Sequence, residues 1–199
     1  MIIFLKMLCT LYGAIIGWHY WKSYGPQNFL WISDIGLFIT LAALWFESPS
    51  LVSICLVSFL IPELLWNLDF FIALITGYSI TGMSGYMFDA HYSLFLRSLS
   101  LFHLLLPPFW IGVAIYWGYD SRVIFYAIPM IWIILILTYF YTDPAANINW
   151  IFMPQERNWK RISGTTWLIV MLIGYPLLVC VPTHVLAQYF FNPTSYNRS

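Results

Sequence analysis

Charged side chains are scarce in this sequence. Only 8% of its 199 residues are Asp, Glu, Lys or Arg, whereas ordinary soluble domains carry about 25%. Eight basic and eight acidic residues cancel, so the chain has no basic field that would attract nucleic acid. It also has no run of like charge that would indicate a disordered tail. The composition therefore excludes nucleic-acid binding and indicates an apolar environment.

Cysteine pairs and cofactor motifs are also absent from the sequence. Cys9, Cys55 and Cys180 each stand alone in apolar surroundings, without the CxxC or Cys/His spacing that holds zinc or a redox disulfide. There is no phosphate-binding glycine loop, haem-ligand pair or zinc-protease motif. We therefore expect neither a metal nor a cofactor, and we interpret the cysteines as small buried hydrophobic residues.

Hydrophobic residues dominate the chain, at 61% of the total, and 21% of the residues are aromatic. A membrane core of about 30 Å requires about 20 helical residues for one crossing. Applied to this sequence, that length predicts an all-α polytopic transmembrane helix bundle, one integral membrane domain over residues 1–199, with six to seven spans. The clearest predicted spans are residues 2–21, 29–46, 50–67, 94–117, 122–142 and 165–190. Trp and Tyr crowd their ends, which is typical of interfacial anchoring.

The seventh candidate span, residues 68–83, is short. It begins beside Asp69 and ends in the run GYSITGMSGY, so it is either a crossing or a re-entrant or interfacial helix. Irregular backbone at membrane depth needs a covering of protein or a water-filled cavity, so a short segment here would indicate an internal pocket. The first apolar segment contains Lys6 and lacks a small-residue cleavage site, which favours a retained span.

The polar loop at residues 143–164 carries a basic excess. Its charged residues include Glu156, Arg157, Lys160 and Arg161. The positive-inside rule predicts that this loop is cytoplasmic, and we expect a bacterial inner (cytoplasmic) membrane. Seven spans would place the N-terminus inside, whereas six would place both termini outside and bring Lys22 to the basic side. The rule leaves the number of spans open.

Two ionisable residues inside predicted spans are candidate catalytic residues. An Asp at the bilayer centre costs about 2.5–3.5 kcal/mol on insertion scales, so such residues usually mark a functional site. Asp34 is predicted to lie about one and a half turns into its helix, and His103 about two turns into its span, before Pro107 and Pro108 loosen the helix. A carboxylate fixes the tautomer of an imidazole. We therefore hypothesise an Asp34–His103 pair.

A second set of polar residues suits substrate binding. Glu63 and Asn67 are four apart and share one helix face, and a carboxylate facing the bundle interior suits proton exchange or acid/base chemistry. Amides near the end of a span suit a headgroup or a substrate carbonyl, although Asn is also an ordinary turn former. The candidate substrate-binding residues are Glu63, Asn67, Asp69, Asn147, Asn149 and Trp31.

The order of these motifs resembles that of known membrane proteins. The motifs are Phe29, Leu30 and Asp34 at the head of an early helix, Pro62, Glu63 and Trp66, then His103, and finally Asn147, Asn149 and Trp150. Over residues 25–153 they resemble a group of bacterial integral membrane proteins without an assigned function. More distantly, they resemble the androgen-induced-gene type fatty-acid-ester hydrolases and related membrane acyltransferases.

The resemblance implies a catalytic role for His103, because the hydrolases place a histidine on a later helix. Their threonine nucleophile lies within FLT near the head of the early helix, where this sequence has Trp31. Tryptophan cannot form an acyl intermediate, so Ser33 or Thr40 would have to replace the threonine. The cysteine expected in the acyltransferase branch is also missing from this helix.

Three functions stay open on the sequence alone. The first is an enzyme that acts on a lipid or fatty-acyl ester, with His103 as base, Asp34 as its orienter and an unidentified side chain or water as the nucleophile. The second is a small transporter or a lipid- or isoprenoid-binding protein in which Glu63, Asn67 and Asp69 line a polar cavity. The third is a structural subunit of a membrane complex, joined by interhelical hydrogen bonds. Membrane lipids are the expected partners, together with a further copy or another membrane protein.

Overall fold

A computed structural model describes residues 2–152 and 162–191, and all regular structure in these ranges is helical. The α-helices are α1 (Ile2–Tyr24), α2 (Ile32–Phe46), α3 (Pro49–Thr76), α4 (Leu94–Leu99), α5 (Phe102–Trp117), α6 (Ile124–Tyr141), α7 (Gly164–Tyr175) and α8 (Val181–Phe191). A π-helical turn, Pro176–Cys180, joins α7 to α8. Short 3-10 turns cover Pro26–Leu30, Gly85–Phe88, Ser121–Val123 and Ile148–Trp150. The all-α prediction is confirmed for the described residues.

Five helical segments are long and apolar enough to cross a membrane: Ile3–Tyr24, Pro49–Thr76, Leu94–Trp117, Ser121–Tyr141 and Gly164–Phe191. Helix α2 has 15 residues, which corresponds to about 22 Å at about 1.5 Å per residue. That length falls short of a membrane core of about 30 Å. The described fold is therefore that of a helical integral membrane protein with five candidate spans.

Helix α3 is longer than the sequence predicted. It continues through Pro62 to Thr76, and Gly77, whose φ is +74°, caps its C-terminal end. The segment 68–83 therefore forms no separate span, because its first part is the end of α3 and the rest is loop. Proline removes the hydrogen bond to the carbonyl four residues earlier, here that of Ser58. The hydroxyl of Tyr175 donates to this carbonyl at 2.8 Å, so the helix continues without an unpaired backbone group.

The predicted span 94–117 is interrupted before His103. Helix α4 ends at Leu99 and α5 begins at Phe102, and α5 then runs unbroken through Pro107 and Pro108 to Trp117. These prolines loosen the helix only in that they free backbone carbonyls, because the helix itself continues through both of them. Pro107 frees the carbonyl of His103, and the Asn67 side-chain amide donates to that carbonyl at 2.9 Å. The neighbouring helix thus satisfies the freed group.

Different parts of the chain form the two ends of the helix bundle. At one end, which we call the terminal end, Lys6 Nζ lies 2.6 Å from Glu47 Oε1, and the Tyr119 backbone N–H donates to Phe191 O at 3.3 Å. The opposite end, the loop end, gathers residues 25–31, 77–93 and 142–152. Residues 153–161 of loop 143–164, with Glu156, Arg157, Lys160 and Arg161, lie outside the described residues. The loop end surrounds the cavity described next.

Candidate functional site

A cavity of about 820 Å³ lies at the loop end of the bundle. Its walls come from the end of α1, residues 27–34, the middle of α3, residues 81–86, the start of α5, residues 145–150 and the region around Tyr175. Ligand pockets in proteins usually measure about 300–1,000 Å³. The short helix α2 and the irregular segments on either side of the cavity leave this space open within the bundle.

Glu63 and His103 form a buried hydrogen-bonded pair at the cavity wall. Glu63 Oε2 lies 2.6 Å from His103 Nδ1, and the two residues are 2% and 7% exposed. The imidazole also stacks on Trp66, with ring centroids 4.2 Å apart and 14° between the planes. A carboxylate on Nδ1 favours the tautomer with its proton there and leaves Nε2 as the basic nitrogen. The pair therefore has the arrangement that a general base requires.

Helix α3 holds His103 at two points. Glu63 binds its ring and Asn67, one turn later, binds its backbone carbonyl. The His103 backbone N–H also donates to Ser100 O at 3.2 Å, in the turn between α4 and α5. The shared face predicted for Glu63 and Asn67 thus contacts one residue on a neighbouring helix. Asn67 contacts the backbone of His103 and does not line the cavity.

Asp34 lines the same cavity but has a different partner from the one predicted. Its Oδ2 accepts a hydrogen bond from Asn28 Nδ2 at 2.7 Å, and the residue is 2% exposed. The carboxylate that orients His103 belongs to Glu63, so the predicted Asp34–His103 pair does not form. Helix α2 begins only at Ile32, which places Asp34 in its first turn. Phe29 and Leu30, which were predicted to begin this span, belong instead to the 3-10 turn Pro26–Leu30.

Asn149 forms part of the cavity wall, but backbone and side-chain partners occupy its amide. Its Oδ1 accepts from Ile32 N at 3.0 Å, and its Nδ2 donates to Leu30 O at 2.7 Å and to Thr138 Oγ1 at 3.1 Å. The residue therefore fixes the start of α2. Asn149 and Trp150 have φ angles of 55° and 56°, and such left-handed conformations cost about 1–3 kcal/mol in non-glycine residues.

Asn147 and Asp69 lie away from the cavity lining. Asn147 Oδ1 accepts from Phe152 N at 2.9 Å, so it stabilises a turn. Asp69 is buried and accepts hydrogen bonds from Ser79 Oγ at 2.7 Å, from Thr81 N at 2.8 Å and from Ser84 Oγ at 2.6 Å. It anchors the loop that supplies Thr81, Gly82 and Met83 to the cavity wall. Trp31, the remaining candidate, does line the cavity.

Several aromatic residues at the cavity were missed by the sequence analysis. Tyr20 was interpreted as an interfacial anchor, yet it is 4% exposed and its hydroxyl lies 2.7 Å from Ser100 Oγ. Burial, reinforced by the nearby Asp34 carboxylate, raises the pKa of Tyr86, whose side chain also lines the cavity. The Trp66 indole N–H is buried beside the Tyr86 hydroxyl and makes no well-aligned hydrogen bond among the described residues. The only sequence signal was the helical spacing of Tyr20 and Tyr24.

The two hydroxyl groups considered as nucleophiles differ in position. Ser33 lines the cavity, whereas Thr40 donates to Gly36 O at 2.6 Å and accepts from Trp110 Nε1 at 2.8 Å in the core. Within residues 2–152 and 162–191, no hydroxyl or thiol forms a hydrogen bond with His103. The same residues contain no group of three or more His, Cys, Asp or Glu side chains that could hold a metal ion.

Fold and site together define a helical integral membrane protein with an aromatic, acid-containing cavity at one end. Comparison with protein-family models, with curated proteins and with solved structures gives no match. The site geometry is therefore the basis for inferring a function.

Proposed function

We propose that this protein is a membrane enzyme that hydrolyses the ester bond of a lipid or another fatty-acyl ester. The observation that carries the proposal is the buried Glu63–His103 pair, with 2.6 Å between Oε2 and Nδ1, at the wall of an 820 Å³ cavity. A carboxylate-oriented imidazole is a common general base in acyl transfer. The resemblance of the motifs to fatty-acid-ester hydrolases supports the same chemistry.

In this mechanism a water molecule is the nucleophile. His103 Nε2 removes a proton from the water while the water oxygen forms a bond to the ester carbonyl carbon. The tetrahedral intermediate collapses, the bond to the alcohol oxygen breaks, and His103 returns the proton to the leaving alkoxide. Glu63 stabilises the transient imidazolium, and the buried Trp66 N–H, which makes no well-aligned hydrogen bond among the described residues, is a donor for the developing oxyanion. The products are a fatty acid and an alcohol.

The proposal includes a topology of six crossings, with α2 as the short sixth. Five basic residues then share one side of the membrane. Lys22 precedes α2, Arg97 lies between α3 and α5, and Arg157, Lys160 and Arg161 lie between α6 and α7. Lys6, Arg122 and, after the last span, Arg198 belong to the opposite side. The positive-inside rule then makes the loop end cytoplasmic, in a bacterial inner membrane.

The test is ester turnover by the purified protein in a neutral detergent. A series of chromogenic acyl esters of increasing chain length should be hydrolysed, and His103→Ala should lower kcat by about 10²–10⁴-fold, the usual contribution of general-base catalysis. Glu63→Gln should also lower kcat strongly, because a neutral amide neither fixes the tautomer with the proton on Nδ1 nor stabilises the imidazolium. Glu47→Gln, at the terminal end, is the matched control and should keep full activity. Unchanged turnover in His103→Ala, or no turnover of any ester, would contradict the proposal.

A proton-linked carrier for an amphiphilic molecule is the second candidate. It is favoured by the presence of two buried carboxylates, Asp34 and Glu63, at one cavity, since ionisable groups inside membrane proteins often exchange protons during transport. Proteoliposomes distinguish the two functions. A carrier moves an amphiphile and protons across the bilayer without cleaving it, whereas the enzyme releases acid and alcohol in detergent as well.

A further inference from the structure

The cavity wall carries two carboxyl side chains. Its lining includes Asp34 and Glu63 but no lysine or arginine among the described residues. Glu63 is hydrogen-bonded to His103, whereas the carboxylate of Asp34 accepts its hydrogen bond from the neutral amide of Asn28. A buried carboxylate without a cationic partner is costly. A cationic group in the cavity would offset this cost.

The same wall is lined by aromatic rings. Tyr20 and Tyr24 lie with their ring centroids 5.4 Å apart, and Tyr24 and Tyr92 with theirs 5.9 Å apart. Trp31 also faces this space. The faces of Tyr and Trp rings attract ammonium groups within about 6 Å of the centroid, and aromatic cages recognise quaternary ammonium ligands in this way. Rings and carboxylate therefore favour the same kind of ligand.

An independent feature indicates the other part of that ligand. Trp66 is 4% exposed and lines the cavity, and its indole N–H makes no well-aligned hydrogen bond among the residues that the structure describes, although the Tyr86 hydroxyl lies beside it. Buried polar groups in proteins are nearly always hydrogen-bonded. An ester carbonyl that enters the cavity beside His103 would supply a better-aligned acceptor.

We propose that the cavity binds an amphiphilic ester with an ammonium headgroup, which Asp34 and the surrounding rings hold while the ester carbonyl faces Trp66 and His103. This inference rests on the proposed function, because it names the headgroup of the same substrate. It commits to an ammonium group without a phosphate. A phosphate beside Asp34 would place a negative charge next to a carboxyl group, on a wall whose described residues include no lysine or arginine to neutralise it.

The experiment measures binding and does not depend on catalysis. The protein, in a neutral detergent, is titrated calorimetrically with four probes that share one octyl chain: octyltrimethylammonium, octylphosphocholine, octyl glucoside and octyl sulfate. Octyltrimethylammonium should bind at least about tenfold more tightly than octyl glucoside. Asp34→Asn should weaken its binding by about tenfold or more. Asp89→Asn is the matched control, because Asp89 lies on a loop at the same end but outside the cavity lining.

Each outcome decides the inference. Equal affinities for all four probes, tightest binding of octyl sulfate or octylphosphocholine, or wild-type affinity in Asp34→Asn would overturn it. If Asp34→Asn fails to fold, the probe series on the unaltered protein still decides. Ammonium-selective binding without ester turnover would refute the proposed hydrolysis alone. Ester turnover without ammonium selectivity would refute the headgroup assignment alone.

Discussion

The energetic coupling between Glu63 and His103 is the most direct test of the site geometry. Both residues are almost fully buried, and their atoms are 2.6 Å apart. Hydrogen bonds to charged groups typically contribute about 1.5–3 kcal/mol, whereas interhelical hydrogen bonds in membrane proteins average about 0.6 kcal/mol. The short distance and the burial favour the upper range. We therefore expect a coupling energy of about 1.5 kcal/mol or more.

A double-mutant cycle measures this quantity. The free energy of unfolding is compared for the wild type, Glu63→Ala, His103→Ala and the double variant, by denaturant titration in mixed micelles. Each single variant leaves a buried polar partner unpaired, so the double variant should lose clearly less stability than the sum of the two losses. Distant and independent sites add to within about 0.5 kcal/mol. Additivity within that limit would refute the pairing, and with it the orientation of the proposed base.

Three further predictions concern stability. Asn67→Leu leaves the His103 carbonyl unpaired and should lower the free energy of unfolding by about 1 kcal/mol, measured by denaturant titration; no loss would show that water replaces the amide. Tyr175→Phe removes the hydrogen bond to the carbonyl freed in α3 and should also cost about 1 kcal/mol, whereas Tyr116→Phe, on an exposed residue, should cost nothing. Hydrogen bonds from neighbouring side chains lower the pKa of Asp120 to about 2, so its stabilising effect should be complete above pH about 4 and lost as the pH falls towards 2; acid unfolding curves of Asp120→Asn should lack this dependence.

The helical class and part of the site could be predicted from the sequence. Residues four apart lie on one helix face, and this spacing placed Glu63 and Asn67 together, as the contacts of both with His103 bear out. The cost of buried charge marked Asp34 and His103 as residues to examine, and both line one cavity. These inferences depend only on local periodicity and on solvation.

The choice of partner could not be predicted, because it depends on distant contacts. Asn149 accepts the backbone N–H of Ile32, 117 residues earlier in the chain, and so sets where α2 begins. That start places Asp34 in the first turn of the helix, near Asn28 and not on His103. The continuity of α3 likewise depends on Tyr175 from another helix. A single sequence contains no signal for either contact.

The prolines of α3 and α5 have a consequence for how the helices recognise one another. Lipid tails are as apolar as the helix surfaces, so apolar contact alone selects neither a partner helix nor a vertical register. Pro62 and Pro107 each free the carbonyl four residues earlier, at a fixed position along the helix axis. Tyr175 donates to the carbonyl freed by Pro62, and Asn67 to the one freed by Pro107. If either helix shifted along its axis by one residue, the donor would no longer reach the carbonyl. These prolines therefore add to pairing specificity, and their replacement by alanine would leave the helices intact but remove one of the contacts that fix their alignment, beside the Glu63–His103 pair.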